Sequence, residues 1–138
     1  MVDVGVRQLN RSSERLEKGG EELVARSDHA TGGLLLFYSA ECALKAELMR
    51  RMSLRDTAQL PEDLRTHDLR ALARELHLSA EAQGALTACA RPRINGQAQQ
   101  KVEPQALHEA WRYGADLEAD DEKHAVGALR TLISGARK

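Results

Sequence analysis

The sequence predicts an all-α protein of five or six helices in a single domain over residues 1–138. Three observations carry that reading. Ala, Leu, Glu and Arg dominate, Val and Ile are few, and only Phe37, Tyr38, Trp111 and Tyr113 are aromatic, a balance that favours helices over sheets. Apolar residues recur at helical spacing in several segments. Leu34–Met52, LLLFYSAECALKAELMRRM, is a glycine-free run of strong helix formers, apolar on most sides, as a buried central helix would be. A chain of 138 residues buries one core without disulfide or metal.

The first helix is expected over roughly Val6–Arg26, where Leu9, Leu16 and Leu23 recur every seven residues and drift slowly around one face. Gly19-Gly20 weakens it by roughly 1 kcal/mol per glycine, so a bend or break is expected there, and Gly32-Gly33 marks the next boundary. The second helix, Thr31–Met52, carries one stripe of Leu35, Tyr38, Cys42, Ala46 and Met49 and another of Leu34, Phe37, Leu44 and Leu48. A connection with Pro61 follows. Thr66 is expected to cap a third helix with Leu69, Leu72, Ala73 and Leu76 inward, and Ser79 a fourth over Ala80–Ala90 with Ala82, Leu86 and Cys89 inward. Arg91–Val102 reads as an exposed loop. Pro104 suits the first turn of a fifth helix ended by Gly114. The acids from Asp116 to Glu122 lead into a last helix buried through Ala125, Val126, Leu129, Leu132 and Ile133. No strand is expected.

The net charge of −1 gives no overall basic field toward nucleic acid, although local patches are compatible with it. Cys42 and Cys89 fall in apolar pattern and read as free thiols of a reducing compartment. The N-terminal stretch has no apolar signal region, and the apolar run Leu34–Ala40 is too short to span a bilayer, so a cytoplasmic protein without membrane association is expected. P-loop, GxGxxG, CxxC and HExxH patterns are missing, and His29, His67, His77, His108 and His124 are not spaced as zinc ligands; no metal or cofactor is expected.

Four groups of residues carry candidate chemistry. Glu41 and Lys45 share a helix face; as an ordinary pair they contribute about 0.2–0.5 kcal/mol, and desolvated they fix packing or hold a partner's arginine. In Thr66-His67-Asp68-Leu69, His67 reads as the first helical residue with Asp68 orienting it, or as a plain helix start. Trp111-Arg112-Tyr113, with His108 one turn before Arg112, reads as a base-stacking or phosphate-contacting surface, or as a core tryptophan beside a paired arginine. Arg91, Arg93 and Lys101 make a basic loop, solvated by default.

Phe37–Arg51, Thr66–Leu69 and Trp111–Gly114, in that order and spacing, resemble the HEPN domain family of prokaryotic toxin–antitoxin and antiphage defence systems. The resemblance implies an antiparallel four- to five-helix bundle that dimerises. Many members are metal-independent ribonucleases whose arginine and histidine are separated by four to six residues; the histidine moves protons as the 2′-OH attacks and the arginine stabilises the phosphorane. Here Arg65/His67, Arg74/His77 and Arg26/His29 are too close, Arg112/His124 too far, and His108/Arg112 in reverse order. The expected function is therefore a homodimeric binding or regulatory subunit for RNA, a nucleotide or a protein partner such as a nucleotidyltransferase or larger effector. The alternatives are a divergent ribonuclease and a helical scaffold without a ligand. The candidate catalytic residues are Arg112, His108 and His67, supported by Glu41, Lys45, Asp68, Tyr113, Arg91 and Arg93.

Overall fold

A computed structural model describes residues 2–138. The described residues form six α-helices and one small hairpin: α1 (Val6–Ala25), α2 (His29–Arg51), α3 (Leu69–Glu75), α4 (Ala80–Ala85), β1 (Cys89–Ala90), β2 (Lys101–Val102), α5 (Leu107–Tyr113) and α6 (Ala119–Ala136). Short 3₁₀ turns at Thr57–Gln59, Glu62–Leu64 and Pro104–Ala106 sit in the connections. Among the described residues no helix is long and apolar enough to cross a membrane.

The central helix is α2, as the apolar run predicts. It packs against α1, α3, α5 and α6, and its Leu36, Phe37, Ala40, Leu44 and Met49 are fully buried. Along the α1–α2 seam Val24 and Gly20 meet Gly32, and Ser13 meets Ser39, so the two helices run antiparallel. Arg130 of α6 reaches Glu21, and Arg137 reaches Glu17 and Ser13, which sets α6 antiparallel to α1. The expected stripe Ala125, Val126, Leu129, Leu132 and Ile133 is buried.

The glycines act differently from the expectation. Helix α1 runs unbroken through Gly19-Gly20, and Gly32-Gly33 lies inside α2. The break falls at Ser27, whose φ is 67°, where Ser27 and Asp28 amides return to Val24 and Leu23 carbonyls (both 2.9 Å) and close the helix in a Schellman-type turn. A Cβ on Gly32 would lie 2.8 Å from the Gly20 carbonyl oxygen, so the glycines permit a close backbone crossing. Two turns further, Ser13 Oγ donates to the Ser39 carbonyl (2.9 Å) and Ser39 Oγ to the Ser13 carbonyl (2.7 Å), which satisfies both buried hydroxyls.

Three other boundaries differ. Helix α3 begins after Asp68, not Thr66: the Asp68 carboxylate accepts from the Arg70 and Ala71 amides (3.2 Å each), while Thr66 Oγ1 accepts from the Asp68 amide. His67 therefore lies in the bend before the helix, not in its first turn. Helix α4 stops at Ala85, and Cys89 is buried on a strand, not on the helix. The loop expected over Arg91–Val102 is the exposed end of a hairpin in which Cys89 pairs with Val102 and Ala90 with Lys101. The Ala90 amide donates to the Asp121 carboxylate (2.8 Å), an acceptor on α6 that holds this segment extended. Gly114 ends α5 at φ 75° as expected.

Candidate functional site

Helix α2 presents Tyr38, Glu41 and Lys45 on successive turns of one half-buried face. Lys45 Nζ lies 2.9 Å from Glu41 Oε2, and the two side chains are only 14 % and 13 % exposed. The pair is mostly desolvated, so it is more than a surface i,i+4 contact, and its geometry is held by a third group. That group is His67, whose Nδ1 lies 2.6 Å from Glu41 Oε1. The carboxylate accepts Nδ1–H, which fixes the tautomer and leaves Nε2 on an exposed ring without a partner among the described residues. Asp68 was expected to orient His67; it is committed to capping α3, and Glu41 does this work from another element.

Helix α5 supplies the other half. His108 and Arg112 are four residues apart and share a face. The buried His108 ring lies 4.9 Å from the Phe37 ring and 5.0 Å from the His67 ring, so the two imidazoles stack in a tilted arrangement. Burial, reinforced by the neighbouring His67, pushes the His108 pKa below the ordinary histidine value and keeps the ring neutral. Its Nδ1 is buried without a hydrogen-bond partner. Arg112 donates to the Tyr38 hydroxyl, and its guanidinium lies 5.8 Å from the Tyr38 and Tyr113 ring centres.

Lys45, Glu41, His67, His108, Tyr38 and Arg112 thus form one continuous line across α2, the approach to α3, and α5. Trp111 fixes α5 in place: its ring lies on Gly33 of α2 and its Nε1 donates to Glu122 of α6 (3.0 Å). The sequence brings Glu41, Lys45, His67, His108 and Arg112 forward, and the structure joins all five. Tyr113 stands at the exposed edge. Arg91 and Arg93 belong to the hairpin and share no hydrogen bond with this line; Arg93 instead contacts Gln99 (3.4 Å). Phe37 and Tyr38, read from the sequence as stripe residues and as part of the Phe37–Arg51 segment but not as site residues, are the aromatic neighbour of His108 and the partner of Arg112. The signal available in sequence was Tyr38 lying three residues before Glu41 on the same face.

The arrangement can place cations and a hydrogen-bonding imidazole along one anionic ligand, with proton transfer available at His67 Nε2. Among the described residues no group of three or more His, Cys, Asp or Glu side chains is arranged to hold a metal ion. Comparison with family models, curated proteins and solved structures returns no match.

Proposed function

We propose that this chain is a HEPN-like subunit that binds RNA through the face carrying Lys45, His67, His108 and Arg112, and that it works as a homodimer in a toxin–antitoxin or antiphage module. The observation that carries this reading is the convergence of those residues from two separate elements onto α2, with two imidazoles stacked between cationic ends. Arg112 has no carboxylate partner among the described residues, so its charge is available to a phosphate. Single-stranded RNA binding, read by fluorescence anisotropy, should fall with Arg112→Ala, and its salt slope should drop by about 1. Equal binding and slope for wild type and variant refute the assignment. Sedimentation decides the dimer: a monomer at every concentration tested removes that part. Co-purification tests a larger effector or nucleotidyltransferase as partner.

The carboxylate-fixed His67 beside a neutral, buried His108 favours a second reading, metal-independent cleavage. His67 Nε2 would take the 2′-OH proton as that oxygen attacks phosphorus, Arg112 would stabilise the phosphorane, and the proton would pass from His67 to the departing 5′-oxygen as the P–O5′ bond breaks, leaving a 2′,3′-cyclic phosphate. RNA incubated with chelator should then be cut by wild type and not by His67→Ala or Arg112→Ala. Intact RNA with wild type leaves binding as the activity.

A further inference from the structure

Beside His67 lies a partly open cavity of about 240 Å³, with His108 not among its lining residues. Its walls combine apolar groups with part of the line just described. Val4, Leu9 and Leu60 give apolar surface, Cys42 adds its thiol, and Glu41, Lys45 and His67 stand at one side. The N-terminal arm closes the opposite side, held by the Thr57 amide donating to the Val4 carbonyl (2.9 Å) and the Val4 amide donating to Thr57 Oγ1 (3.2 Å). Arg65 stands at the rim, its Nε fixed on the Leu60 carbonyl (2.9 Å) and its Nη2 on the Ala58 carbonyl. Both anchors are neutral, and Arg65 has no carboxylate partner among the described residues.

We propose that this cavity receives one unpaired nucleobase of an RNA whose phosphate lies against His67 and Arg112. The inference rests on the RNA-binding reading above and names what the site selects. Size comes first: the volume lies below the roughly 300–1,000 Å³ of drug-sized sites, which suits a single ring system. Chemistry comes second. Apolar walls accept the faces of an aromatic ring, whereas an aliphatic chain would not match a desolvated ion pair at its side. Lys45 donates and Glu41 accepts side by side, and each keeps hydrogen-bonding capacity beyond their mutual contact. A base edge also carries donors and acceptors side by side. Charge comes third: among the lining side chains Lys45 and Arg65 outnumber Glu41, which matches the phosphates flanking the base. A base inside a duplex cannot enter, so the cavity selects single-stranded or looped RNA.

The test uses the wild-type protein with a short single-stranded RNA and a series of the same RNA, each lacking one base. Loss of the base at one position should weaken binding about tenfold, in the range contributed by one stacked base, with the other positions nearly unchanged. Cys42→Phe, which fills the cavity, should bring intact RNA down to the affinity of that abasic RNA and leave the abasic RNA unaffected. Alkylation of Cys42 in the wild type, read by peptide mass, should slow with intact RNA and not with the critical abasic RNA, which decides the matter if Cys42→Phe does not fold. Equal binding of every abasic RNA overturns the base pocket and leaves the RNA-binding reading standing. Full binding by a folded Cys42→Phe, or Cys42 alkylation that RNA does not slow, also overturns the pocket. No binding of any RNA overturns both.

Discussion

Gly33→Ala tests how the fold positions the candidate site. A Cβ at Gly33 would lie 2.9 Å from Trp111 Cε2 and Cζ2 and 3.1 Å from Cη2. That ring is 4 % exposed and its Nε1 is bonded to Glu122, so it cannot swing aside cheaply. Overpacking of this kind costs about 1–3 kcal/mol. Alanine recovers about 1 kcal/mol of helix propensity at an interior α2 position, leaving a net loss of about 0–2 kcal/mol and a Tm unchanged or lowered by up to roughly 8 °C. Gly127→Ala is the control, because its added Cβ meets nothing within 4 Å; it should stabilise by about 0.5–1 kcal/mol. Trp111 is the sole tryptophan, so its emission should shift red in Gly33→Ala and stay fixed in Gly127→Ala. Because Trp111 holds α5 to α2, RNA binding should weaken in Gly33→Ala although no site residue has changed. Gly33→Ala with wild-type emission and a Tm raised as much as in Gly127→Ala refutes the argument.

Three further outcomes follow from the same geometry. The native state keeps His108 neutral while the unfolded chain takes up a proton below about pH 6.5, so wild type should lose stability relative to His108→Phe as pH falls through that value; a Tm difference that is flat with pH counts against it. Asp68→Ala should lower stability by about 1 kcal/mol through loss of the α3 cap, whereas Asp68→Asn should remain within a few tenths; equal damage in urea melts would show that charge, not capping, matters. Ser13→Ala should cost about 1 kcal/mol, since it removes the Oγ contacts to the Ser39 carbonyl and Arg137, and Ser13→Val should cost more because the fully buried site has no room; a Val variant as stable as wild type in thermal melts contradicts the packing.

Much of the helical content was legible because it is local. Composition and the i, i+3, i+4 pattern identify α2 as the centre, and the same periodicity identifies the buried face of α6. The five residues now joined in the candidate site stood out because Glu41 and Lys45 interrupt an apolar helix, because His67 sits in the expected helix start Thr66–Leu69, and because Arg112 follows His108 by one helical turn between two aromatic residues. Elements decided by distant partners were not legible. Cys89-Ala90 has helix-compatible residues, yet Asp121 on α6 and the β2 strand take its backbone groups. The pairs Gly19-Gly20 and Gly32-Gly33 read locally as weak points; their meaning depends on which backbone crosses them.

The sequence alone therefore determined the helix class, the central helix and which side chains are candidates for chemistry, since these depend on residue type, propensity and periodicity along a short stretch of chain. Tertiary structure decided the pairing. Glu41, not Asp68, orients His67; Tyr38 receives Arg112; and His108 is held between Phe37 and His67. Each of these contacts joins groups about 26 to 74 residues apart in the chain, or depends on the seat of Trp111 against Gly33. No local rule measures such a distance, because it is set by how closely helices can pack and where one backbone permits another to approach.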